Sequence, residues 1–221
     1  MASPTTSIRA VILDLDGTLV DTAEEIALAL NETLAGLGLP VVSLEAAIAL
    51  IGRGVRSLVE RAVDEVGATT DLDRAVEIFE AHYERLVATR ATLFPDVEEG
   101  LMAMRAAGLK LGVVTNKPRL FTEKLLAHLR IDGLFDAVVA GDDGLPRKPF
   151  GDMLVAAAKN MGARIEETLM LGDSDNDVLA ARDAGCLVWC VPYGYNEGRP
   201  AESLECDRMV ATVLEAARLL E

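Results

Sequence analysis

The stretch Val11–Thr22, VILDLDGTLVDT, decides the fold. Its first half is an apolar run that is interrupted by Asp14, and a second acid follows at Asp16. Such a run is typical of a strand buried on both faces, as in a parallel sheet. Two carboxylates two residues apart on a strand point to the same side, where they repel unless a cation separates them or one keeps its proton. The strand end is therefore predicted to bind a cation, to perform acid/base chemistry, or both; the alternative is a loop whose Asp residues only form turns.

The composition indicates a protein with a large core and an acidic surface. The chain has 221 residues, of which 51% are hydrophobic, and its formal net charge is −15. This length allows one large domain or two unequal ones. The negative charge argues against nucleic acid and against an anionic membrane surface as partners.

Two further expectations concern the cellular compartment. Cys186, Cys190 and Cys206 have no metal-ligand spacing and are predicted to be reduced thiols. The N-terminal residues contain no apolar signal segment, and no apolar run approaches the ~18 residues of a membrane span. A cytoplasmic location without membrane contact is therefore expected.

Residues 22–92 have helical periodicity and no strand pattern. Thr22–Glu25 has the pattern of a capping box at the start of the first helix. Three more helices are expected to begin near Ser43, Val55 and Leu72. This segment is predicted to be a compact helical insert.

Beyond Pro95, short apolar runs alternate with helical patterns, which predicts a parallel sheet with right-handed crossovers. The predicted fold class is α/β, a Rossmann-like doubly wound parallel sheet with an inserted all-helical cap. Residues 1–20 and 93–221 are expected to form the catalytic core, and residues 21–92 the cap.

Polar side chains follow four of the predicted strands. In such sheets ligands bind at the carboxyl ends of the strands, so these side chains are expected to converge. They are Asp14, Asp16, Thr115, Asn116, Lys148, Asp173 and Asp177.

The converging groups suit Mg²⁺ and a phosphoryl group. Asp14, Asp16 and Asp173 offer the hard oxygen ligands that Mg²⁺ prefers. His82 and His128 lie on predicted helices away from the strand ends, which disfavours softer metals. One carboxylate can attack phosphorus while its neighbour transfers protons, and the ammonium can offset negative charge on the phosphoryl group.

Four motifs in this order resemble those of the haloacid dehalogenase-like hydrolase superfamily. They are Asp14–Thr18 (DLDGT), Thr115–Asn116 after an apolar strand, Lys148 before Pro149, and Gly172–Asp177 (GDSDND). The resemblance implies that Asp14 is the nucleophile and Asp16 the general acid/base. It also implies that Thr115 and Asn116 bind the phosphoryl group, and that Lys148 holds both nucleophile and phosphate.

The same resemblance implies a Mg²⁺ site and a reaction class. Asp14 and Asp173 are expected to bind the ion through their side chains, Asp16 through its backbone carbonyl, and Asp177 to support the site. Because an acid stands two residues after the nucleophile, the resemblance implies phosphate-ester hydrolysis or phosphoryl transfer through an aspartyl-phosphate, rather than cleavage of a carbon–halogen or carbon–phosphorus bond.

Several stretches resemble, within the superfamily, the subgroup that hydrolyses 2-phosphoglycolate to glycolate and phosphate. They are Leu19–Asp21, Ile51–Val55, Val113–Pro118, Gly141–Asp143 and Tyr193–Asn196. The alternatives are a phosphatase for a sugar phosphate such as N-acetylmuramic acid 6-phosphate, a pyrophosphatase or a phosphoglucomutase. From a different class, the alternative is a non-catalytic phosphate-binding protein.

The cap is expected to supply specificity. Arg53 and Arg56 are predicted to face the site and pair with a substrate carboxylate, the alternative being solvated charges at a helix start. Lys117 has the same two interpretations, and Asp21 either orders the hinge or begins the helix. The expected partner is a small phosphorylated metabolite, and the expected state is a monomer or a homodimer.

Overall fold

The computed structural model describes residues 7–221, in which strands and helices alternate as an α/β protein. Residues 1–6, to which the prediction about a signal segment partly refers, lie outside the described residues. The strands are β1 (Ala10–Leu13), β2 (Val20–Asp21), β3 (Thr92–Leu93), β4 (Lys110–Val114), β5 (Ala137–Val139), β6 (Thr168–Gly172), β7 (Leu187–Cys190) and β8 (Arg208–Met209). The α-helices are α1 (Ala23–Gly36), α2 (Leu44–Leu50), α3 (Val55–Glu65), α4 (Leu72–Leu86), α5 (Val97–Ala106), α6 (Arg119–His128), α7 (Asp152–Asn160), α8 (Asp175–Ala184) and α9 (Val213–Leu220).

The main sheet has six strands in the order β5-β4-β1-β6-β7-β8, and every neighbouring pair is parallel. β1 lies inside the sheet, with Ala10 opposite Lys110 on one side and Thr168 on the other. This arrangement confirms the predicted parallel sheet. It also brings the carboxyl ends of β1, β4 and β6 side by side.

Alternate residues of β1 belong to two separate cores. Val11 and Leu13 pack into one hydrophobic cluster with residues of α5 and α9, whereas Ala10 and Ile12 pack into another with residues of α7 and α8. Successive strand side chains point to opposite faces, so helices must cover both faces of the sheet. The doubly wound arrangement is therefore confirmed.

Helices α1 to α4 fill the chain between β2 and β3, and their apolar faces extend the core that contains α5 and α9. The two ends of this helical segment pair as an antiparallel two-stranded sheet, with Val20 opposite Leu93 and Asp21 opposite Thr92. The sequence predicts no strand there, because two-residue strands have no periodicity to detect. The assignment of residues 21–92 as a cap domain stays a prediction.

The capping box predicted at Thr22 is wrong. Thr22 precedes α1 with φ −116° and ψ 4°, and its side chain caps no backbone N–H of the helix. Its hydroxyl instead donates a 2.6 Å hydrogen bond to Oδ1 of Asp16. Glu25, the other residue of the pattern, is buried and accepts a 3.1 Å hydrogen bond from the Tyr83 hydroxyl. Thr22 and Glu25 therefore bond to the side chains of Asp16 and Tyr83 rather than to each other's backbone N–H groups at the start of α1.

Two observations bear on the expectations about compartment. Cys186, Cys190 and Cys206 are free thiols, and the first two are buried. Within residues 7–221, no helix combines the length and apolar character needed to cross a membrane.

Candidate active site

Asp14 follows the last residue of β1 and is buried at the carboxyl end of the sheet. Its Oδ1 accepts a 2.7 Å hydrogen bond from the backbone N–H of Leu15 and lies 2.8 Å from Nζ of Lys148. Lys148 also donates a 2.6 Å hydrogen bond to Oδ1 of Asp177. The ammonium is thus held between two carboxylates, as expected for a lysine that orients Asp14.

Asp177 belongs to the first turn of α8 and is fully buried. Its Oδ2 accepts hydrogen bonds from the backbone N–H of Asp173 at 3.2 Å and of Ser174 at 3.1 Å, and from the Ser174 hydroxyl at 2.8 Å. These bonds satisfy free N–H groups at the helix start. Asp177 therefore fixes the loop that carries Asp173 and also contacts Lys148; its supporting role in catalysis stays a prediction.

Asp173 follows β6 and is held on both sides of its carboxylate. Oδ1 accepts a 2.8 Å hydrogen bond from the Thr18 hydroxyl, and Oδ2 accepts one of 2.8 Å from the backbone N–H of Tyr195. A Cβ atom added to Gly17 would lie 2.5 Å from the Asp173 carboxylate, and one added to Gly194 would lie 2.4 Å from it. Only glycine fits at these two positions, because any side chain would displace Asp173.

The residues present fit a hard divalent cation. Asp14, Asp173 and Asp177 each place a carboxylate oxygen within 4.8 Å of the others, and all three are buried. Oxygen ligands grouped at this spacing are what Mg²⁺ uses in proteins, with waters and substrate completing the shell. The structure therefore contains the acidic cluster that a divalent ion requires. That Asp16 contributes its backbone carbonyl stays a prediction.

The electrostatics of the cluster favour the binding of a further positive charge. Burial raises the pKa of Asp14 well above its ordinary value, and Asp177 and Asp173 add to the rise while Lys148 opposes it. Burial, reinforced by Asp177, raises the pKa of Asp173 to about 6. The ammonium of Lys148 is also disfavoured by burial, but Asp14 and Asp177 outweigh this and raise its pKa. One lysine does not neutralise three buried carboxylates, whereas a divalent cation would.

Asp16 points away from this cluster, toward the residues after β4. Nζ of Lys117 lies 2.8 and 2.9 Å from the two carboxylate oxygens of Asp16. The Thr22 hydroxyl also donates to Oδ1. Lys117 is buried, and its Nζ lies 4.9 Å from the centroid of the Tyr83 ring on α4. Asp16 is thus oriented jointly by the core and the helical segment.

Thr115 and Asn116 follow β4, as the sequence predicts, and both are buried. The amide nitrogen of Asn116 donates 2.9 Å hydrogen bonds to the backbone carbonyls of Gly52 and Lys148. Its Oδ1 is buried without a hydrogen-bond partner among the described residues. Asn116 therefore joins the core to the loop between α2 and α3.

A cleft between the sheet edge and the helical segment contains these groups. Its polar lining consists of Asp14, Asp16, Thr115, Asn116 and Lys117 together with Tyr83 and backbone of Gly52 and Gly54. Its apolar lining consists of Ile26, Ile51, Val55, Leu58, Phe79, Pro118 and Phe121. The cleft therefore has a polar floor at the carboxyl ends of β1 and β4 and an apolar wall.

Arg53 and Arg56 are not brought to this cleft. Arg53 is half-exposed and forms hydrogen bonds of 2.6 and 2.7 Å with Glu197. Arg56 is exposed and lies 2.6 Å from Asp73. Both guanidinium groups already have carboxylate partners of the protein, so no contact supports their predicted substrate-binding role.

The sequence motifs did not assign a role to Tyr195. Its hydroxyl donates a 2.8 Å hydrogen bond to Asp21 and accepts one of 2.8 Å from the backbone N–H of Thr22, while its own backbone N–H holds Asp173. Tyr195 follows the carboxyl end of β7, so the strand-end rule that selects the other residues could have selected this one. Asp21, whose role was open, lies between Tyr195 and the start of α1, where it accepts a 3.2 Å bond from Ala23.

Comparisons with known proteins show the family to which the chain is similar. A sequence model of the haloacid dehalogenase-like hydrolases matches residues 11–191. A phosphoglycolate phosphatase of Nitrosospira multiformis is 41% identical over 218 residues, covering 97% of this chain and 96% of that relative. A phosphoglycolate phosphatase of Thiobacillus denitrificans is 41% identical over 217 residues, covering 96% of each. The crystal structure of a predicted phosphoglycolate phosphatase from Haemophilus somnus has a TM-score of 0.92 at 30% identity, covering 98% of this chain and 100% of that one.

These matches extend over nearly the whole chain and include the four motifs on which the resemblance was based. The similar proteins are named as phosphatases, which confirms the expected class of enzyme, a phosphoric monoester hydrolase. The chain therefore belongs to the haloacid dehalogenase-like hydrolases.

Proposed function

We propose that this chain is a Mg²⁺-dependent phosphatase that hydrolyses a small phosphomonoester, 2-phosphoglycolate, to glycolate and phosphate. The observation that carries the proposal is the buried carboxylate of Asp14, held by Lys148 at the floor of a cleft that Thr115 also lines. A carboxylate fixed in this way is a pre-oriented nucleophile for a phosphoryl group.

In the first step, Asp14 attacks phosphorus and the ester oxygen leaves with the bonding pair. Oδ1 of Asp14 is engaged by Leu15 and Lys148, whereas Oδ2 accepts no hydrogen bond from the residues that the structure describes. We assign the attack to Oδ2. The leaving oxygen takes a proton from the carboxyl group of Asp16, which yields the free alcohol and an aspartyl-phosphate.

In the second step, water attacks the phosphorus of the aspartyl-phosphate. Asp16, now a carboxylate, accepts the proton of that water, and the bond from Asp14 to phosphorus breaks. The products are inorganic phosphate and the original two carboxyl groups. Lys148 remains beside Asp14 and offsets negative charge that passes between the carboxylate and the phosphoryl group.

Asp14 and Asp173 are the residues that would hold Mg²⁺ through their side chains, with the backbone carbonyl of Asp16 as a further ligand. When bound, the ion supplies positive charge that stabilises the phosphoryl oxygens in the transition state. Asp177, which is committed to Lys148 and to the start of α8, supports this site.

The choice of 2-phosphoglycolate is supported by the relatives and by the shape of the cleft. Two similar proteins at 41% identity are phosphoglycolate phosphatases. The wall of the cleft is apolar and offers few partners to sugar hydroxyls. A buried hydroxyl without a partner costs roughly 1–3 kcal/mol, so a polyhydroxylated sugar phosphate is disfavoured relative to a two-carbon acid.

The proposal is tested by phosphate release from 2-phosphoglycolate and from a panel of sugar phosphates, with Mg²⁺ or with EDTA. We expect the highest kcat/KM for 2-phosphoglycolate, no release with EDTA, and no release by Asp14→Asn. Release in ¹⁸O-labelled water should place label in phosphate, which separates a hydrolase from a mutase. Tight binding of phosphate esters without any turnover would contradict the proposal and favour a phosphate-binding protein.

A further inference from the structure

We propose that Lys117 is the specificity-determining residue of the site, and that it binds the carboxylate of the phosphate ester. This inference rests on the proposed function and extends it by naming the group that recognises the non-reacting end of the substrate. It also assigns to Lys117 a second task, the positioning of Asp16, so that one ammonium contacts both groups.

The first argument is the position of Lys117. It is the third residue after the carboxyl end of β4 and lines the cleft beside Thr115 and Asn116. Its side chain is only 5% exposed, so the charge is fixed inside the cleft and is not a solvated surface charge. The Tyr83 ring supports the ammonium from the helical segment, with Nζ 4.9 Å from its centroid.

The second argument is the number of N–H donors. An ammonium group carries three N–H donors and no acceptor. The two carboxylate oxygens of Asp16 lie 2.8 and 2.9 Å from Nζ of Lys117. Within residues 7–221, this nitrogen makes hydrogen bonds to no group other than Asp16. One donor therefore remains for a ligand oxygen while the contact to Asp16 persists.

The third argument is charge. Lys117 is the one cationic residue in the lining of the cleft over the part of the chain that the structure describes. Arg53 and Arg56, the other candidates for this task, are paired with Glu197 and Asp73 outside the lining. Lys148 is occupied by Asp14 and Asp177. A ligand carboxylate that enters beside the apolar wall thus has a single cationic partner, and burial strengthens that pairing.

The chemistry that Lys117 selects is a short phosphate ester with an anionic group near the ester oxygen. Lys117 holds Asp16, which follows Asp14 by two positions, so the carboxylate must lie within a few bonds of the reacting phosphorus. A long or neutral ester does not place an anion there. The structure therefore favours a small phosphorylated acid over a neutral phosphorylated alcohol.

The inference is tested by binding in the Asp14→Asn chain with Mg²⁺ present, so that the readout does not depend on turnover. Calorimetric Kd values for 2-phosphoglycolate and for ethyl phosphate, which has the same two-carbon length without the carboxylate, give a preference ratio. We expect a preference of about 10- to 100-fold for 2-phosphoglycolate, as for a charge-assisted hydrogen bond. Lys117→Met should reduce this ratio to about one, and Lys117→Arg should retain most of it.

The matched control is Lys124→Met. Lys124 is a half-exposed lysine on α6 that also bridges to the helical segment, with Nζ 3.1 Å from Glu84 on α4. This substitution should leave the preference ratio unchanged. Thermal unfolding of each variant shows whether it is folded at the temperature of the titration.

A preference ratio that survives Lys117→Met, or one that is already near one in the chain with Lys117, would overturn the inference. Loss of affinity for both ligands by the same factor would also overturn it, because it would show that Lys117 acts only on the structure of the site. Failure of the proposed function is distinguished by phosphate release rather than by binding. In that case the chain with Asp14 releases no phosphate from either ester, whatever the binding ratio.

Discussion

Nζ of Lys148 lies 2.6 Å from Oδ1 of Asp177, and both side chains are buried beneath the cleft. The same nitrogen lies 2.8 Å from Asp14. Lysine and aspartate are 29 positions apart, yet this contact joins the loop after β5 to the first turn of α8. The site is thus held together by a charge cluster whose members depend on one another.

Replacement of Lys148 should therefore destabilise the fold as well as abolish activity. Lys148→Met leaves Asp14 and Asp177 buried without their cation, and loss of one partner from a buried ion pair costs about 3–5 kcal/mol. Urea unfolding in EDTA measures the loss. Lys159→Met, the same change at an exposed position of α7, should alter the free energy of unfolding by no more than about 0.5 kcal/mol. An unchanged unfolding midpoint for Lys148→Met would show that the cluster adds no net stability.

Saturating Mg²⁺ should raise the melting temperature of the unliganded protein, because the ion binds a cluster of mutually repelling carboxylates that exists only in the folded chain. At about 100 times its Kd the gain is roughly 2.7 kcal/mol, or about 5–10 °C for a chain of this size. Asp173→Asn should remove most of this shift. Asp175→Asn should retain the shift. Asp175 lies two positions later in the chain, and its carboxylate pairs with Arg199. Scanning calorimetry with and without EDTA distinguishes the two.

Gly194→Ala should inactivate the enzyme without changing any polar group. The added Cβ would lie 2.2 Å from Cβ of Asp173 and would push that carboxylate from its place. We expect loss of the Mg²⁺-dependent melting shift together with loss of phosphate release. Gly36→Ala is the matched control, since nothing lies within 4 Å of a Cβ at the end of α1. It should keep full activity and gain about 0.5–1 kcal/mol of stability.

The stability of the helical segment should depend on pH through Glu25. Burial raises the pKa of Glu25 above 4.5, and the Lys117 ammonium and the Tyr83 hydroxyl offset only part of the rise. A raised folded-state pKa means that the protonated form is favoured by folding. The contribution of Glu25 to the free energy of unfolding is thus complete below about pH 4.5 and falls as pH rises through the raised value.

Glu25→Gln removes this titration. The stability of the variant relative to the unmodified chain should therefore increase from pH 4 to pH 8, as measured by urea unfolding at each pH. Glu24→Gln changes the exposed neighbour, whose side chain pairs with Arg90, and is the control for loss of a carboxyl group at the surface. A difference for Glu25→Gln that does not change with pH would show that the Glu25 carboxylate is adequately solvated in the folded chain.

The strand ends could be predicted from sequence because the rule that places them is topological. Asp14, Thr115 and Asp173 each follow an apolar run, and parallel strands bring such positions to one edge whatever the side-chain details. Lys148 was placed by its motif, and its contacts to Asp14 and Asp177 agree with the prediction.

Contacts between distant side chains could not be predicted in this way. The pairing of Asp16 with Lys117 spans 101 positions, and that of Arg53 with Glu197 spans 144. Neither pairing leaves a periodic or local signal. Thr22 shows the limit most clearly, because its sequence pattern is that of a capping box while its hydroxyl donates to Asp16 instead. A local propensity of about 1 kcal/mol is readily outweighed by a tertiary carboxylate.

The short pairing of β2 with β3 allows the helical segment to be replaced by another insert. The two connections between the helical segment and the rest of the chain lie side by side, because Asp21 pairs with Thr92 across β2 and β3. To the sheet that bears Asp14, the whole helical segment is equivalent to one loop that closes on itself. A different insert with paired ends could occupy the same junction without altering the register of any strand in the main sheet. Substrate choice can therefore diverge in evolution while the chemistry at the floor of the cleft stays fixed.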